Sequence, residues 1–162
     1  MFPQIKPTPQ IKPTKKLVIE IPRENFEFKM NFDGCSKGNP GLSGAGAVIY
    51  EDSEEIWSDQ FFVGDKFTNN HAEYAGLILG LQQAKKMNIT NILVEGDSQL
   101  VINQMKGIYN CNSPNLIELY DKAKQLEKYF EKIQYHHVDR KFNKRADQLS
   151  NIAVMNHVLI NK

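Results

Sequence analysis

One stretch of sequence decides the fold, Phe26-Glu27-Phe28-Lys29-Met30-Asn31-Phe32-Asp33, in which apolar and polar residues alternate strictly. Alternation with a period of two is typical of a half-buried β-strand, because successive side chains point to opposite faces of a sheet. We therefore expect four large apolar side chains to lie on one face and the polar ones on the other, with Asp33 at the end of the strand. The glycine-rich segment 34–41 that follows is predicted to be a turn.

The rest of the chain alternates between further strand patterns and helix patterns. Strands are predicted at 43–50, 55–63, 92–94 and 133–138, with an acidic hairpin loop at 51–54. Helices are predicted at 70–87, 98–106, 114–130 and 143–155. The resulting order, β-β-β-α-β-α-α-β-α, indicates an α/β fold. Its mixed five-stranded sheet would combine an antiparallel meander with parallel strands and be flanked by helices.

The first twenty residues differ in composition from the rest of the chain. They repeat a short unit, Gln-Ile-Lys-Pro-Thr, and contain further lysines, so residues 1–20 are interpreted as a disordered Pro/Lys-rich tail. A docking or phosphate-contacting tail is the alternative. Residues 21–162 are predicted to form a single folded domain.

Composition excludes some function classes and leaves others open. No apolar run is long enough to cross a bilayer, and the two cysteines lack metal-type spacing, so we expect an intracellular monomer, cytoplasmic or nuclear, with reduced thiols. The net charge is only +1. Residues 121–145 nevertheless carry eight Lys/Arg against four Asp/Glu, which suits a phosphate backbone or an ordinary solvated helix surface.

Four acidic residues stand at positions where α/β proteins place functional groups. Asp33 and Asp97 lie at or just beyond the carboxyl ends of predicted strands, and Glu73 and Asp147 lie in the first turns of predicted helices. Each has a plainer explanation on its own: a turn-starting aspartate for Asp33, a neighbour of a helix cap for Asp97, and dipole stabilisation for the two helical acids. Spacing alone does not make them a site.

The surrounding motifs resemble a known family. The chain is similar to type 1 ribonuclease H domains, in the form that lacks the basic protrusion and the mobile catalytic-histidine loop. The similarity extends over about residues 26–156 and rests on motifs in the family's order, each with the family's acid: Phe32-Asp33-Gly34-Cys35-Ser36-Lys37-Gly38-Asn39-Pro40-Gly41, Thr68-Asn69-Asn70-His71-Ala72-Glu73-Tyr74, Glu95-Gly96-Asp97-Ser98-Gln99 and Asn143-Lys144-Arg145-Ala146-Asp147.

The resemblance implies an endonuclease that cuts the RNA strand of RNA/DNA hybrids. Four carboxylates in one small site require cationic neutralisation, and the resemblance implies two divalent ions, Mg²⁺ or, as the alternative, Mn²⁺. By the same resemblance Asp33 bridges both ions, Asp97 and Glu73 lie toward the leaving group and the RNA, and Asp147 holds the ion that activates water. The products would carry 5′-phosphate and 3′-hydroxyl ends.

The resemblance also assigns residues to substrate recognition. The family positions that contact sugars and 2′-hydroxyls correspond here to Gly34, Ser36, Asn39, Asn69, Asn70 and Gln99, and Thr68 matches a position that seats a DNA phosphate. Arg140 stands about where many members carry the mobile histidine. It is expected to stabilise phosphate charge or assist product release, since arginine cannot serve as a base.

Three other functions remain open at this point. The chain could be a binding module that has the fold without the activity, because fold alone does not imply function. It could be a related nuclease with another preference, such as double-stranded RNA cutting or a reverse-transcriptase domain. It could be an interaction protein without divalent-metal binding.

Overall fold

The computed structural model describes residues 20–161. The predicted tail therefore lies outside the described residues except for Glu20, and the prediction that it is disordered stays a prediction. The five strands are β1 (Phe28–Lys37), β2 (Gly41–Glu51), β3 (Glu54–Phe67), β4 (Asn91–Gly96) and β5 (Lys132–His137). The four helices are α1 (Asn69–Lys86), α2 (Gln99–Met105), α3 (Ile117–Glu127) and α4 (Lys144–Ile160). Short 3-10 turns lie at Arg23–Asn25 and Arg140–Phe142.

The strands form one mixed sheet in the order β3-β2-β1-β4-β5. The pairs β1/β2 and β2/β3 are antiparallel, and β4 pairs in parallel with both β1 and β5. The predicted element order and sheet type are both confirmed. The acidic hairpin loop is also confirmed, with Asp52 and Ser53 at positive φ between β2 and β3.

The hydrophobic core lies between the sheet and α1. Met30, Phe32, Tyr74 and Leu77 are all fully buried there. Helix α1 is largely buried, because most of its residues lie within the core, and Thr68 caps its N-terminus by accepting a hydrogen bond from the His71 amide.

The polar face of β1 is buried beyond Lys29, whose side chain is 39% exposed, contrary to the half-buried strand expected from alternation. Asn31 and Asp33 are only 4% and 3% exposed. The reason is α4, which packs on that face so closely that a Cβ atom on Gly46 would meet Leu149 and Ser150. Alternation identified the strand correctly, but it could not show that a distant helix covers the second face.

Several predicted boundaries are wrong. The predicted turn at 34–41 begins too early, because β1 continues to pair with β2 as far as Lys37 opposite Leu42. The helix predicted from 114 begins at Ile117, since the Ser113 carbonyl accepts from both the Leu116 and Ile117 amides and closes a turn first. That same helix ends at Glu127 rather than 130.

The last helix is longer than predicted. It continues past 155 to Ile160, because neither proline nor glycine interrupts this stretch, and Asn161 closes it by donating to the His157 carbonyl from both its backbone and its side chain. Within residues 20–161 we find no helix with the length and apolar character needed to cross a membrane. Cys35 and Cys111 are both unpaired.

Candidate metal centre and nucleic-acid interface

Three of the four predicted acids lie together at one edge of the sheet. Asp33 comes from β1, Glu73 from the second turn of α1, and Asp97 from the residue after β4. One carboxylate oxygen of each lies within 4.8 Å of the others. We call this group the carboxylate cluster. Asp33 and Glu73 are buried and Asp97 is partly exposed, so the cluster opens to solvent on the side of Asp97.

A glycine makes this convergence possible. Gly34 is buried against α1, and a Cβ atom at this position would overlap the backbone of Ala72 and Glu73. The absence of a side chain lets the first turns of α1 approach the strand that carries Asp33. The resemblance placed Gly34 at the substrate, and the structure adds a packing function at the same position.

We expect Gly34→Ala to lower both stability and metal affinity. The added methyl group must push α1 away from β1, which costs about 1–3 kcal/mol and moves Glu73 away from Asp33. Urea unfolding and Mn²⁺ titration measure the two effects. Gly107→Asn is the control, because that glycine has φ +77, which asparagine tolerates, and open space around its Cβ direction. Wild-type stability and Mn²⁺ affinity in Gly34→Ala would contradict this explanation.

Burial and mutual repulsion prevent the cluster from being fully ionised by itself. Burial raises the pKa of Asp33 from 3.8 to about 8, and the negative charge of Asp97 contributes in the same direction. Burial also raises the pKa of Glu73 well above its usual value, with the charge of Asp33 next in importance. Both carboxyls therefore favour the protonated form in the absence of a cation.

The donor set fits a divalent cation. Glu73 Oε2 is buried and has no hydrogen-bond partner among the described residues. Lysine and arginine side chains within residues 20–161 make no ion pair with the carboxylate cluster, so this part of the chain supplies no cation to neutralise it. Hard divalent ions prefer oxygen ligands of this kind, and an unpartnered buried oxygen is an available ligand.

Asp147 lies beside the carboxylate cluster but is not one of the three acids whose oxygens lie within 4.8 Å of one another. It stands in the first turn of α4, its side chain is 28% exposed, and its charge raises the pKa of Asp33. Arg140 lies 3.6 Å from Asp147 Oδ1 through its guanidinium and is 77% exposed. The structure thus brings the fourth predicted acid and the predicted arginine to the same cleft, which has a volume of about 270 Å³.

The predicted substrate residues form a connected rim next to this cleft. The Ser36 amide donates to Asn69 Oδ1 at 2.8 Å, and the Asn69 amide donates to Asn39 Oδ1 at 3.0 Å. Ser36 Oγ donates to the Phe67 carbonyl. Ser36 and Asn69 line the cleft itself, whereas Asn39 reaches it through Asn69.

The other predicted contact residues lie at helix N-termini near the rim. Thr68 is the N-cap of α1 and Asn70 is a partly exposed residue of its first turn. Gln99 is the exposed first residue of α2, directly after the Ser98 cap. Neither Asn70 nor Gln99 uses its side-chain amide within the described part of the chain, so both are available to a ligand.

Sequence reasoning missed four polar residues that support the site. Lys37 and Asn151 line the cleft, Asn143 connects α4 to β1, and His137 Nε2 lies 3.2 Å from the Asp97 carbonyl. Asn151 could have been found, since it lies one helical turn after Asp147. The contacts of Lys37 and Asn143 cross more than 100 residues of sequence and leave no local signal.

A larger cleft, of about 770 Å³, is not a second metal site. Its buried acid, Glu95, is already paired with Arg23 at 3.2 Å and Lys29 at 3.3 Å. Two cations therefore satisfy the charge that a metal ion would neutralise. The carboxylate cluster has no such cation among the described residues, and this contrast distinguishes a structural acid from candidate metal ligands.

Comparison with known proteins agrees with the fold. A family model described as "Reverse transcriptase-like" matches residues 31–153. The bifunctional protein Rv2228c of Mycobacterium tuberculosis is 42% identical over 123 residues, which are 75% of this chain and 34% of that protein. This chain thus spans about a third of that relative's length. The solved N-terminal RNase H domain of Rv2228c superimposes on this chain with a TM-score of 0.79 at 38% identity, covering 83% of this chain and 98% of that one.

Two further relatives are ribonucleases H by name. LC11-RNase H1, isolated from compost and solved in complex with an RNA/DNA hybrid, has a TM-score of 0.76 at 30% identity, covering 81% of this chain and 99% of that one. Ribonuclease HI of Halobacterium salinarum is 34% identical over 88% of this chain and 71% of its own length. With a family model over residues 31–153 and this degree of identity to a ribonuclease HI, the chain belongs to the ribonuclease H family.

Proposed function

We propose that this chain is an endonuclease that hydrolyses the RNA strand of RNA/DNA hybrids with two divalent ions, Mg²⁺ by preference, giving 5′-phosphate and 3′-hydroxyl ends. The observation that carries the proposal is the carboxylate cluster, in which three acids meet without an ion pair to any lysine or arginine of residues 20–161, and one buried oxygen has no partner within that range. Family membership supplies the reaction class. The hybrid bound to LC11-RNase H1 supports the substrate.

The four acids are the proposed metal ligands. The pKa of Asp33 depends on each of the other three carboxyls, so Asp33 occupies the central position among them. This position suits it to be the ligand that two ions share. Glu73 and Asp97 would complete one ion's protein ligands, and Asp147 would serve the other. When bound, the ions would neutralise the developing phosphate charge and activate the attacking water. An all-oxygen donor set suits Mg²⁺, and Mn²⁺ is also compatible with it.

The rim residues would select the RNA strand. Asn39 and Asn69 each use the side-chain oxygen in a bond within the rim, so each keeps its NH₂ group available to donate to a sugar oxygen. Asn70 and Gln99 offer both a donor and an acceptor. A 2′-hydroxyl can pair with such groups and a deoxyribose cannot, which is the discrimination that a hybrid-specific nuclease needs.

Arg140 is proposed to contact phosphate rather than to transfer a proton. A guanidinium can donate to two phosphate oxygens at once, and the exposed position of Arg140 at the cleft allows it to leave Asp147 for a nucleic-acid phosphate. Its ion pair with Asp147 is largely exposed and therefore weak, so little free energy is lost when Arg140 leaves Asp147.

The test is a cleavage assay with hybrids labelled on either strand. We expect internal cuts in the RNA only, with Mg²⁺ present, and none after chelation. Duplex DNA and duplex RNA of the same sequence serve as controls and should remain uncut. Binding of the hybrid without any cleavage would favour the binding-module alternative, and cleavage of duplex RNA at the same rate would favour a nuclease of different preference.

A further inference from the structure

We infer that Asn143 and Asn151 are positioning residues that hold Asp147 at a fixed place relative to Asp33. The inference deepens the proposed function and rests on it, because Asp147 is the proposed ligand that lies outside the carboxylate cluster. The two asparagines lie one helical turn before and one turn after Asp147 in α4. Both are tied to β1, the strand that carries Asp33.

Asn143 ties the beginning of α4 to β1. Its Nδ2 donates to the Phe32 carbonyl at 2.9 Å, and its Oδ1 accepts from Asn31 Nδ2 at 3.0 Å. Asn143 is 2% exposed and Asn31 is 4% exposed, so water does not compete for these bonds. The Asn143 carbonyl accepts from the Asp147 amide at 3.0 Å. One buried side chain therefore connects the residue before Asp33 to the helical turn that carries Asp147.

Asn151 holds the side chain of Asp147 from the other direction. Its Nδ2 lies 2.8 Å from the Asp147 carbonyl and 3.3 Å from Asp147 Oδ1. Its Oδ1 accepts from Lys37 Nζ at 2.5 Å. An ammonium group can only donate, so Lys37 requires the oxygen of Asn151 to face β1 and the NH₂ group to face Asp147. The end of β1 thus fixes the orientation of the amide.

The two ties act at opposite sides of Asp33 along β1. Asn31 and Phe32 precede it, and Lys37 follows it by four residues. Asp147 Oδ1 faces Asn151 and Arg140, which leaves its second oxygen without a hydrogen bond or ion pair to another described residue. Without these ties a partly exposed aspartate on a helix surface would sample several rotamers, and the distance between the two proposed ligands would vary.

The experiment compares Asn143→Ala, Asn151→Ala and Lys37→Met with matched controls. Asn161→Ala is a control at the far end of the same helix. It removes a bond of the same kind, from a side-chain amide to the backbone carbonyl one turn earlier. Ser150→Ala removes a bond to the Asp147 carbonyl and leaves the bond to the Asp147 side chain in place. We expect the asparagine variants to need about 10-fold more Mg²⁺ for half-maximal cleavage, with lower kcat and unchanged KM for the hybrid. The two controls should match wild type. Lys37→Met should need more Mg²⁺, as the asparagine variants do, and Lys37→Arg should keep the wild-type Mg²⁺ dependence because it can still donate to Asn151.

Mn²⁺ binding to the protein alone, followed by the EPR signal of the free ion, gives a readout that does not depend on cleavage. On an Asp147→Asn background, Asn143→Ala and Asn151→Ala should weaken Mn²⁺ binding no further, because the residue they position is gone. If the asparagine substitutions lowered Mn²⁺ affinity equally with and without Asp147, the inference would be overturned. Asparagine variants with wild-type Mn²⁺ affinity and wild-type Mg²⁺ dependence would overturn it as well. A protein that binds Mn²⁺ as described but cuts no hybrid would refute the proposed function alone. Circular dichroism confirms that each variant is folded.

Discussion

Asp33→Asn is expected to lower the rate of RNA-strand cleavage by at least about 100-fold. Loss of a residue that merely supports a metal ligand already costs about 10–100-fold, so loss of the ligand proposed to be shared by two ions should cost more. The amide keeps the shape of the carboxylate and removes its charge, so the fold should be preserved. Initial rates on an RNA-labelled hybrid in Mg²⁺ measure the effect.

The matched control is Asp65→Asn, which makes the same chemical change at an exposed position of β3. It should cleave at the wild-type rate, which separates a change of local chemistry from a change of net charge. Raising the Mg²⁺ concentration should not restore Asp33→Asn, since the missing group is the ligand itself. Cleavage by Asp33→Asn within a few-fold of wild type would contradict the proposed role of the carboxylate cluster.

The fold was predictable because its signals are local. Alternation identified β1, and the Asp52-Ser53 turn followed from an acidic loop between two strand patterns. Errors occurred where distant contacts decide the outcome. Asn31 and Asp33 look like solvent-facing residues of an amphipathic strand, and they are buried because α4, more than 100 residues later, packs over them. Periodicity within one segment carries no information about such a partner.

The site was predictable in its acids and less so in their support. Motif resemblance named the four carboxylates, and the geometry places three of them within 4.8 Å of one another. The residues that position the fourth were not found, because Asn143 looks like an ordinary helix cap and Lys37 like an ordinary loop lysine. Their function depends on bonds across the α4–β1 interface, which become visible only when both elements are in place.

The metal-free protein is expected to lose stability as the pH rises from about 4 to about 8. Burial raises the pKa of Asp33 from 3.8 to about 8, so in this window the folded protein retains a proton that the unfolded chain has released. A folded state that binds more protons than the unfolded state is destabilised by rising pH. One pKa unit corresponds to about 1.4 kcal/mol, so the loss amounts to several kcal/mol at pH 8.

Urea unfolding in a chelator at pH 5 and pH 8 measures this loss in wild type and in Asp33→Asn. The variant has no charge to bury at position 33, so it should be more stable than wild type at pH 8, with a much smaller difference at pH 5. Saturating Mg²⁺ should return most of the lost stability to wild type at pH 8 and little to the variant, because the cation binds only the folded arrangement of carboxylates. A wild-type protein as stable at pH 8 as at pH 5 without metal would show that Asp33 and its neighbouring carboxyls ionise freely despite their burial. In that case the same geometry would give them no need for a cation.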